Sequence, residues 1–166
     1  MKKVLTLVLV DDGSSLLLGM KKRGFGEGRW NGFGGKVEVG ETILAAAKRE
    51  VEEEVGIHVS DLVQVATLLF SFASDEALEL EVHVFRAMSF SGTPTETEEM
   101  KPQWFLYDEI PYDDMWPDDR YWLPQVLAGV TLTGSFHFDA PASPTHQAAI
   151  LTYKIEDVVT PLDGVY

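Results

Sequence analysis

Gly35-Lys36-Val37-Glu38-Val39-Gly40-Glu41-Thr42-Ile43-Leu44-Ala45-Ala46-Ala47-Lys48-Arg49-Glu50-Val51-Glu52-Glu53-Glu54-Val55-Gly56-Ile57 is the stretch on which the fold turns. Ile43, Leu44, Ala47, Val51 and Val55 recur at helical spacing, which predicts a helix over residues 41–55. Gly56 suits the left-handed residue that closes such a helix. Glu50, Glu53 and Glu54 fall at i, i+3 and i+4. At about 100° per residue the first and last share a face and the middle one borders it, beside the apolar stripe. Like charges at i, i+4 cost an isolated helix roughly 0.2–0.5 kcal/mol, so Glu50 over Glu54 needs free solvation or a cation. A bare glutamate-rich helix is most often a solvated acidic face. Crowded carboxylate oxygens also suit a hard divalent ion such as Mg²⁺, which takes carboxylates together with water and substrate phosphates.

Outward from this helix the chain alternates strand-like runs with turn signals. Residues 3–10 and 15–20 are β-rich and separated by Asp11-Asp12-Gly13-Ser14, which predicts a hairpin. Between the hairpin and the helix lie seven glycines, Gly24, Gly26, Gly28, Gly32, Gly34, Gly35 and Gly40, a density expected of a loop that approaches something closely or visits positive φ. Runs 62–72 and 78–90 flank the acidic link Ser74-Asp75-Glu76, and 102–107, 130–138 and 150–158 read as further strands. Residues 117–127 read as a short helix disturbed by Pro124, and 140–147, with two prolines, as a surface loop. The expected class is α/β in the α+β sense, a mixed β-sheet sandwiched between helices.

The chain has 166 residues, suited to one domain. Its 45% apolar and 24% charged content is that of a soluble globular protein, and no apolar run approaches the ~20 residues of a bilayer span. No signal-peptide pattern opens it and it has no cysteine, so disulfides and thiolate chemistry are excluded and a cytoplasmic setting is expected. The formal net charge of −14 argues against a nucleic-acid polymer as partner. A small anionic substrate remains compatible if a cation is bound locally. Lys21-Lys22-Arg23 is either a set of phosphate contacts or a solvated strand end. His58, His83, His137 and His146 show no metal-ligand spacing.

Five residues separate Gly35 from Glu41, seven separate Glu41 from Arg49, and Arg49-Glu50-Val51-Glu52-Glu53-Glu54-Val55-Gly56-Ile57 follows. This spacing matches the Nudix box in full, and the chain resembles the Nudix hydrolase family. Seven fixed residues and two aliphatic positions would coincide on the order of once in a billion placements or less at ~5–7% usage per residue. The resemblance implies a loop-helix-loop with Glu50, Glu53 and Glu54 as metal ligands or activators of water, and Arg49 orienting a carboxylate. It adds Gly34, Gly35 and Glu99 to the metal set and implies Mg²⁺, or Mn²⁺ in its place.

The runs from Gly24 to Lys36 and from Asp113 to Trp122 further resemble the branch of that family acting on oxidised purine nucleoside triphosphates. That likeness covers about residues 6–158. It implies a small-molecule nucleotide substrate, hydrolysed to the monophosphate and pyrophosphate, and a monomer that touches neither nucleic-acid polymer nor membrane. Carried over by position, Asn31, Asp118 and Asp119 read the purine edge, and Trp116 with Phe70 or Phe72 encloses its faces. Phe25, Thr6, Lys21 and Leu80 are further binding candidates. Without the resemblance, Trp116-Pro117-Asp118-Asp119 reads as a helix start and Phe70 and Phe72 as core. The chain departs from that branch around residues 73–78, at Leu80, where a methionine is usual, and at 140–147, which reads as an insertion. Other Nudix substrates, such as ADP-ribose, an undamaged dNTP or a dinucleoside polyphosphate, stay open at this level, as does a noncatalytic binding module.

Overall fold

In the computed structural model, which describes residues 1–158, the predicted hairpin opens the fold. Strands β1 (Lys2–Asp11) and β2 (Ser15–Lys21) pair antiparallel at Val10–Leu17 and Asp11–Leu16. Their turn is set by Asp12, whose Oδ1 accepts from the Ser14 and Ser15 amides at 3.0 and 2.7 Å. In chain order there follow β3 (Trp30–Asn31), α1 (Ile43–Val55), β4 (His58–Ser60), β5 (Val63–Phe72), β6 (Asp75–Ala87), β7 (Ser89–Ser91), β8 (Met100–Leu106), α2 (Asp119–Leu127), β9 (Leu132–Phe138) and β10 (Ile150–Asp157). The main sheet runs β10-β9-β5-β6-β1-β2-β3, with β8 also on β2, while β4 and β7 form a separate ribbon. β1 lies parallel to β6 and β5 parallel to β9, the other pairs being antiparallel, so the sheet is mixed as expected.

Period-two alternation sends the two sides of β1 into different cores. Leu7 and Leu9 pack with Trp122, Leu123 and Val126 of α2, and Val8 and Val10 pack with Ala47, Val51 and Val55 of α1. The sheet is therefore sandwiched between the two helices. β1 and β2 diverge below their first pairs. Into that seam goes the glycine-rich segment: Asn31 and Trp30 pair with β2, then Phe33 and Lys36 bridge across to Val8 and Leu5 of β1.

Several boundaries differ from expectation for local reasons. α1 starts at Ile43, two residues late, because extended Thr42 is the N-cap and its side chain accepts from the Ala45 amide. Glu41 stays outside the helix, held by Arg49. Gly56 closes the helix at φ +75° as predicted. The acidic link after β5 tightens into a turn in which Phe72 already faces Asp75, and β6 stops at Ala87 before the ribbon strand β7. α2 begins at Asp119 rather than 117 and accommodates Pro124 within nine residues. A buried ion pair fastens the hairpin turn to the rest: Arg86 Nε donates to Asp11 Oδ2 at 2.6 Å, and the Tyr107 hydroxyl donates to Asp11 Oδ1 at 2.8 Å. Among the described residues no helix is long and apolar enough to cross a membrane.

Candidate active site

The rung between the glycine segment and β1 sets one end of the site. Thr6 N–H donates to the Gly35 carbonyl at 2.9 Å, and Val8 N–H to the Phe33 carbonyl at 2.6 Å. Only glycines fit the approach: a Cβ on Gly34 would stand 1.8 Å from the Thr6 carbonyl oxygen, and one on Gly35 would stand 2.5 Å from the Glu50 carboxyl carbon. The Gly34 amide in turn donates to Glu54 Oε1 at 2.7 Å. The loop and the C-terminal half of α1 thus meet with Glu50 and Glu54 between them.

Arg49 is the hub of the outer half. It forks onto Glu41 through Nε and Nη2 at 2.6 and 2.9 Å, and its Nη1 donates to Glu50 Oε1 at 2.8 Å and Glu53 Oε2 at 3.2 Å. That hydrogen bonding holds the Glu41 carboxyl down at about 2. Glu53 borders the face as the spacing predicted, with 56% of its side chain exposed. Burial pushes Glu54 up to about 7, against the opposing pull of Lys21, and also raises Glu50. The Lys21 ammonium lies 3.5 Å from both Glu54 Oε2 and Glu99 Oε2, so Glu99 joins the cluster from the loop before β8. Arg23 hydrogen-bonds Glu99 and lowers its carboxyl. Among the described residues no three acidic or histidine side chains surround a single point, because these carboxylates are turned onto Lys21, Arg49 and the Gly34 amide. The donor set nonetheless suits a hard divalent ion: carboxylate oxygens gathered on one end of a helix, closed in by a glycine loop with no room for a side chain.

From this cluster a cleft of about 380 Å³ runs to α2. Thr6, Lys21, Gly34, Gly35 and Glu54 line its acidic end, and Phe25, Asn31, Phe70, Leu80, Trp116, Asp118 and Asp119 line the other. Phe70 and Trp116 are stacked at 14° with centroids 6.4 Å apart, and Phe25 tilts onto Trp116 at 5.3 Å. Phe72 does not line the cleft. It is fully buried, stacked on Phe138 and edge-on to Trp116, so of the two expected aromatic walls the structure places Phe70 there and makes Phe72 its backing. Asn31, which lines the cleft, accepts from the Gly32 amide through Oδ1 at 2.9 Å.

Asp118 and Asp119 are both buried, and burial raises both carboxyls, Asp119 further because ionised Asp118 lies beside it. Trp122 donates its indole N–H to Asp118 Oδ2 at 2.8 Å, the Asp118 and Asp119 carboxyls hydrogen-bond each other, and among the described residues no N–H group donates to the buried Asp118 Oδ1. The Asp118 to Trp122 spacing of one helical turn carried that signal in the sequence, unread. Lys3, Arg29 and Lys36 also line the cleft and were not singled out beforehand. The four histidines lie apart from it, His83 hydrogen-bonding Gln64 and Glu81, and His137 bonding Ser71.

A fold with this loop-helix-loop under a split mixed sheet, carrying a carboxylate cluster at one end of a nucleotide-sized cleft, is matched by the NUDIX domain model over residues 1–126, and the chain belongs to the Nudix hydrolase family. Divalent metals are the general cofactors of that family. The chain is 50% identical over 156 residues to the oxidized purine nucleoside triphosphate hydrolase of Mus musculus, covering 94% of this chain and 96% of that protein. It is 46% identical, with the same coverage, to the protein of that name from Danio rerio. Among solved structures it is similar to a MutT protein from Bacillus halodurans, with a TM-score of 0.79, 28% identity and coverage of 93% and 97% of the two chains.

Proposed function

We propose that this protein hydrolyses oxidised purine nucleoside triphosphates, such as 8-oxo-dGTP and 2-hydroxy-dATP, to the monophosphate and pyrophosphate, and so cleanses the nucleotide pool. The carrying observation is the buried Asp118–Asp119 pair, whose carboxyls hydrogen-bond each other, set beside the Phe70 and Trp116 faces at the far end of the cleft from the carboxylate helix. A purine between aromatic faces gains about 1–3 kcal/mol with little regard to its substituents, so grip and choice are separated. Adjacent buried carboxyls share a proton, which gives the pair one donor and one acceptor for a purine oxygen and a ring N–H. Shifting that proton lets one pocket read guanine-like and adenine-like edges. The names of the mouse and zebrafish relatives support the same substrate class.

At the other end, Glu50, Glu53 and Glu54, with Glu99 and the Gly34–Gly35 loop, would hold Mg²⁺, or Mn²⁺ in its place, to neutralise charge on the phosphate oxygens. Arg49 fixes Glu50 and Glu53 in place, and Lys21, now 3.5 Å from Glu54, would meet the phosphate chain. A carboxylate of the trio takes the proton from water attacking phosphorus. The chain is read as one domain, supported by two cores that share a single sheet, and as a cytoplasmic monomer. Its net charge of −14 supports a small nucleotide over a nucleic-acid polymer or an anionic membrane.

Pyrophosphate release with Mg²⁺ across 8-oxo-dGTP, 2-hydroxy-dATP, dGTP and ADP-ribose tests this. The two oxidised purines should be turned over most efficiently. A preference for ADP-ribose overturns the substrate reading, and no release from any of the four favours a noncatalytic nucleotide-binding module.

A further inference from the structure

The loop between β9 and β10 is more than the surface excursion its prolines suggest. Its neck is tied by Asp139, whose amide donates to the Ala149 carbonyl at 3.0 Å and whose Oδ1 accepts from the Ala140 and Ala149 amides at 2.7 and 2.8 Å. Within it, Ser143 and His146 exchange both backbone hydrogen bonds, at 2.9 and 3.3 Å. Ala142 and Ala148 are buried in the core beneath α2. A loop closed and anchored in this way presents the groups at its tip in a fixed place.

Those groups converge on Arg29. Its Nε and Nη2 donate to Gln147 Oε1 at 3.2 and 2.8 Å, and its Nη2 also donates to the His146 carbonyl at 2.9 Å. The amide end of Gln147 reaches the Met115 carbonyl at 3.5 Å. Arg29 ends the glycine loop that carries Phe25 and leads into Asn31, and Met115 precedes Trp116 and the acidic pair. None of residues 140–149 lines the cleft itself. Gln147 thus joins, from outside the cleft, the loop that carries Phe25 and the segment that carries Trp116. The loop is closed at its base by the Lys21 and Gly28 amides, bonded to the Arg29 and Lys21 carbonyls at 3.1 and 2.9 Å, but it turns on Gly24, Gly26 and Gly28 at positive φ and leaves Phe25 55% exposed.

We propose that Gln147 is a positioning residue for base recognition, the tip of a clasp formed by residues 140–149 that holds Arg29 and so keeps Phe25 packed on Trp116 and Asn31 in place beside them. The proposal rests on the purine reading of the cleft given above. Loss of the clasp frees the glycine loop without touching the carboxylate helix, so it weakens substrate capture and spares the chemical step.

The test combines Gln147→Ala with Gln147→Glu, which keeps an oxygen acceptor for Arg29. KM and kcat are measured on 8-oxo-dGTP with Mg²⁺, and tryptic cleavage after Arg29 is followed on the substrate-free protein. Gln147→Ala should raise KM about fivefold, the scale of one charge-assisted hydrogen bond at a partly exposed site, with kcat within about twofold. It should also speed cleavage after Arg29, and Gln147→Glu should return both readouts toward the parent. An unchanged KM in Gln147→Ala overturns the proposal whatever the proteolysis shows, as does equal impairment in Gln147→Glu. If the parent turns over no oxidised purine triphosphate, yet cleavage after Arg29 quickens in Gln147→Ala and recovers in Gln147→Glu, the purine reading falls and the clasp stands.

Discussion

Alanine at two adjacent glycines should fail in two different ways. At Gly34 the new Cβ would meet the Thr6 carbonyl oxygen at 1.8 Å, whereas ordinary contact begins at 3.4 Å, so about 1.6 Å must be found against backbone. The rung then opens, and with it go Thr6 N–H to Gly35, Val8 N–H to Phe33 and Gly34 N–H to Glu54. At about 1 kcal/mol for each backbone bond and more for the carboxylate one, Gly34→Ala should lose about 3–5 kcal/mol of stability. At Gly35 the obstacle is the Glu50 carboxyl at 2.5 Å, the movable end of a side chain, and about 0.9 Å of displacement clears it. Gly35→Ala should therefore keep its stability to within about 1 kcal/mol. A catalytic group moved by about 1 Å can cost on the order of a hundredfold in rate, so its kcat should fall by about that factor. Urea unfolding and Mg²⁺-dependent pyrophosphate release separate the two effects. Full kcat in Gly35→Ala, or a parental urea midpoint in Gly34→Ala, would refute the close-approach argument.

Glu54→Gln keeps an oxygen for the Gly34 amide, so the fold should persist while turnover falls by at least about a hundredfold; near-normal release of pyrophosphate would remove Glu54 from the chemistry. Arg86→Met leaves Asp11, whose side chain is wholly buried, without its cation and should cost about 3–5 kcal/mol in urea unfolding, part of it recovered when Asp11→Asn is added. Burial raises Asp118 and Asp119, so between the usual aspartate value of 3.8 and their folded values the native state binds more protons than the unfolded one, and stability falls as pH rises through that window. In chelator, the urea midpoint of the parent should decline from pH 5 to pH 8, and Asp119→Asn should flatten the decline; identical slopes would show that the pair ionises as freely folded as unfolded.

Local rules made the central part of this fold legible. The apolar stripe, the closing Gly56 and the Asp12 turn all act within a few residues, and each appears where the sequence put it. The Nudix spacing carried the carboxylates, and the structure brings Glu50 and Glu54 against Gly34 and Gly35 while Glu53 borders them. Alternatives stayed open, or boundaries shifted, where distant partners decide. Phe70 and Phe72 share one face of β5, and only Phe138, arriving on β9, determines that Phe72 is packed away and Phe70 left at the cleft. The start of α1 moved because Thr42 caps the helix, with Glu41 held outside it by Arg49 from two turns further on. The clasp joins residues 118 positions apart through a glutamine, a residue type with no periodic or compositional signature.

The parting of β1 from β2 gives the substrate path an unusual course. The cleft draws its lining from both cores, Leu7, Leu80 and Trp116 from the one packed on α2 and Met100 from the one packed on α1. Thr6 and Leu7, on opposite faces of β1, both line it. On the function proposed above, replacement of the wall residues around Trp116 would retune which nucleobase is admitted while the carboxylate helix stays as it is, so one catalytic half could be inherited under many different entrances.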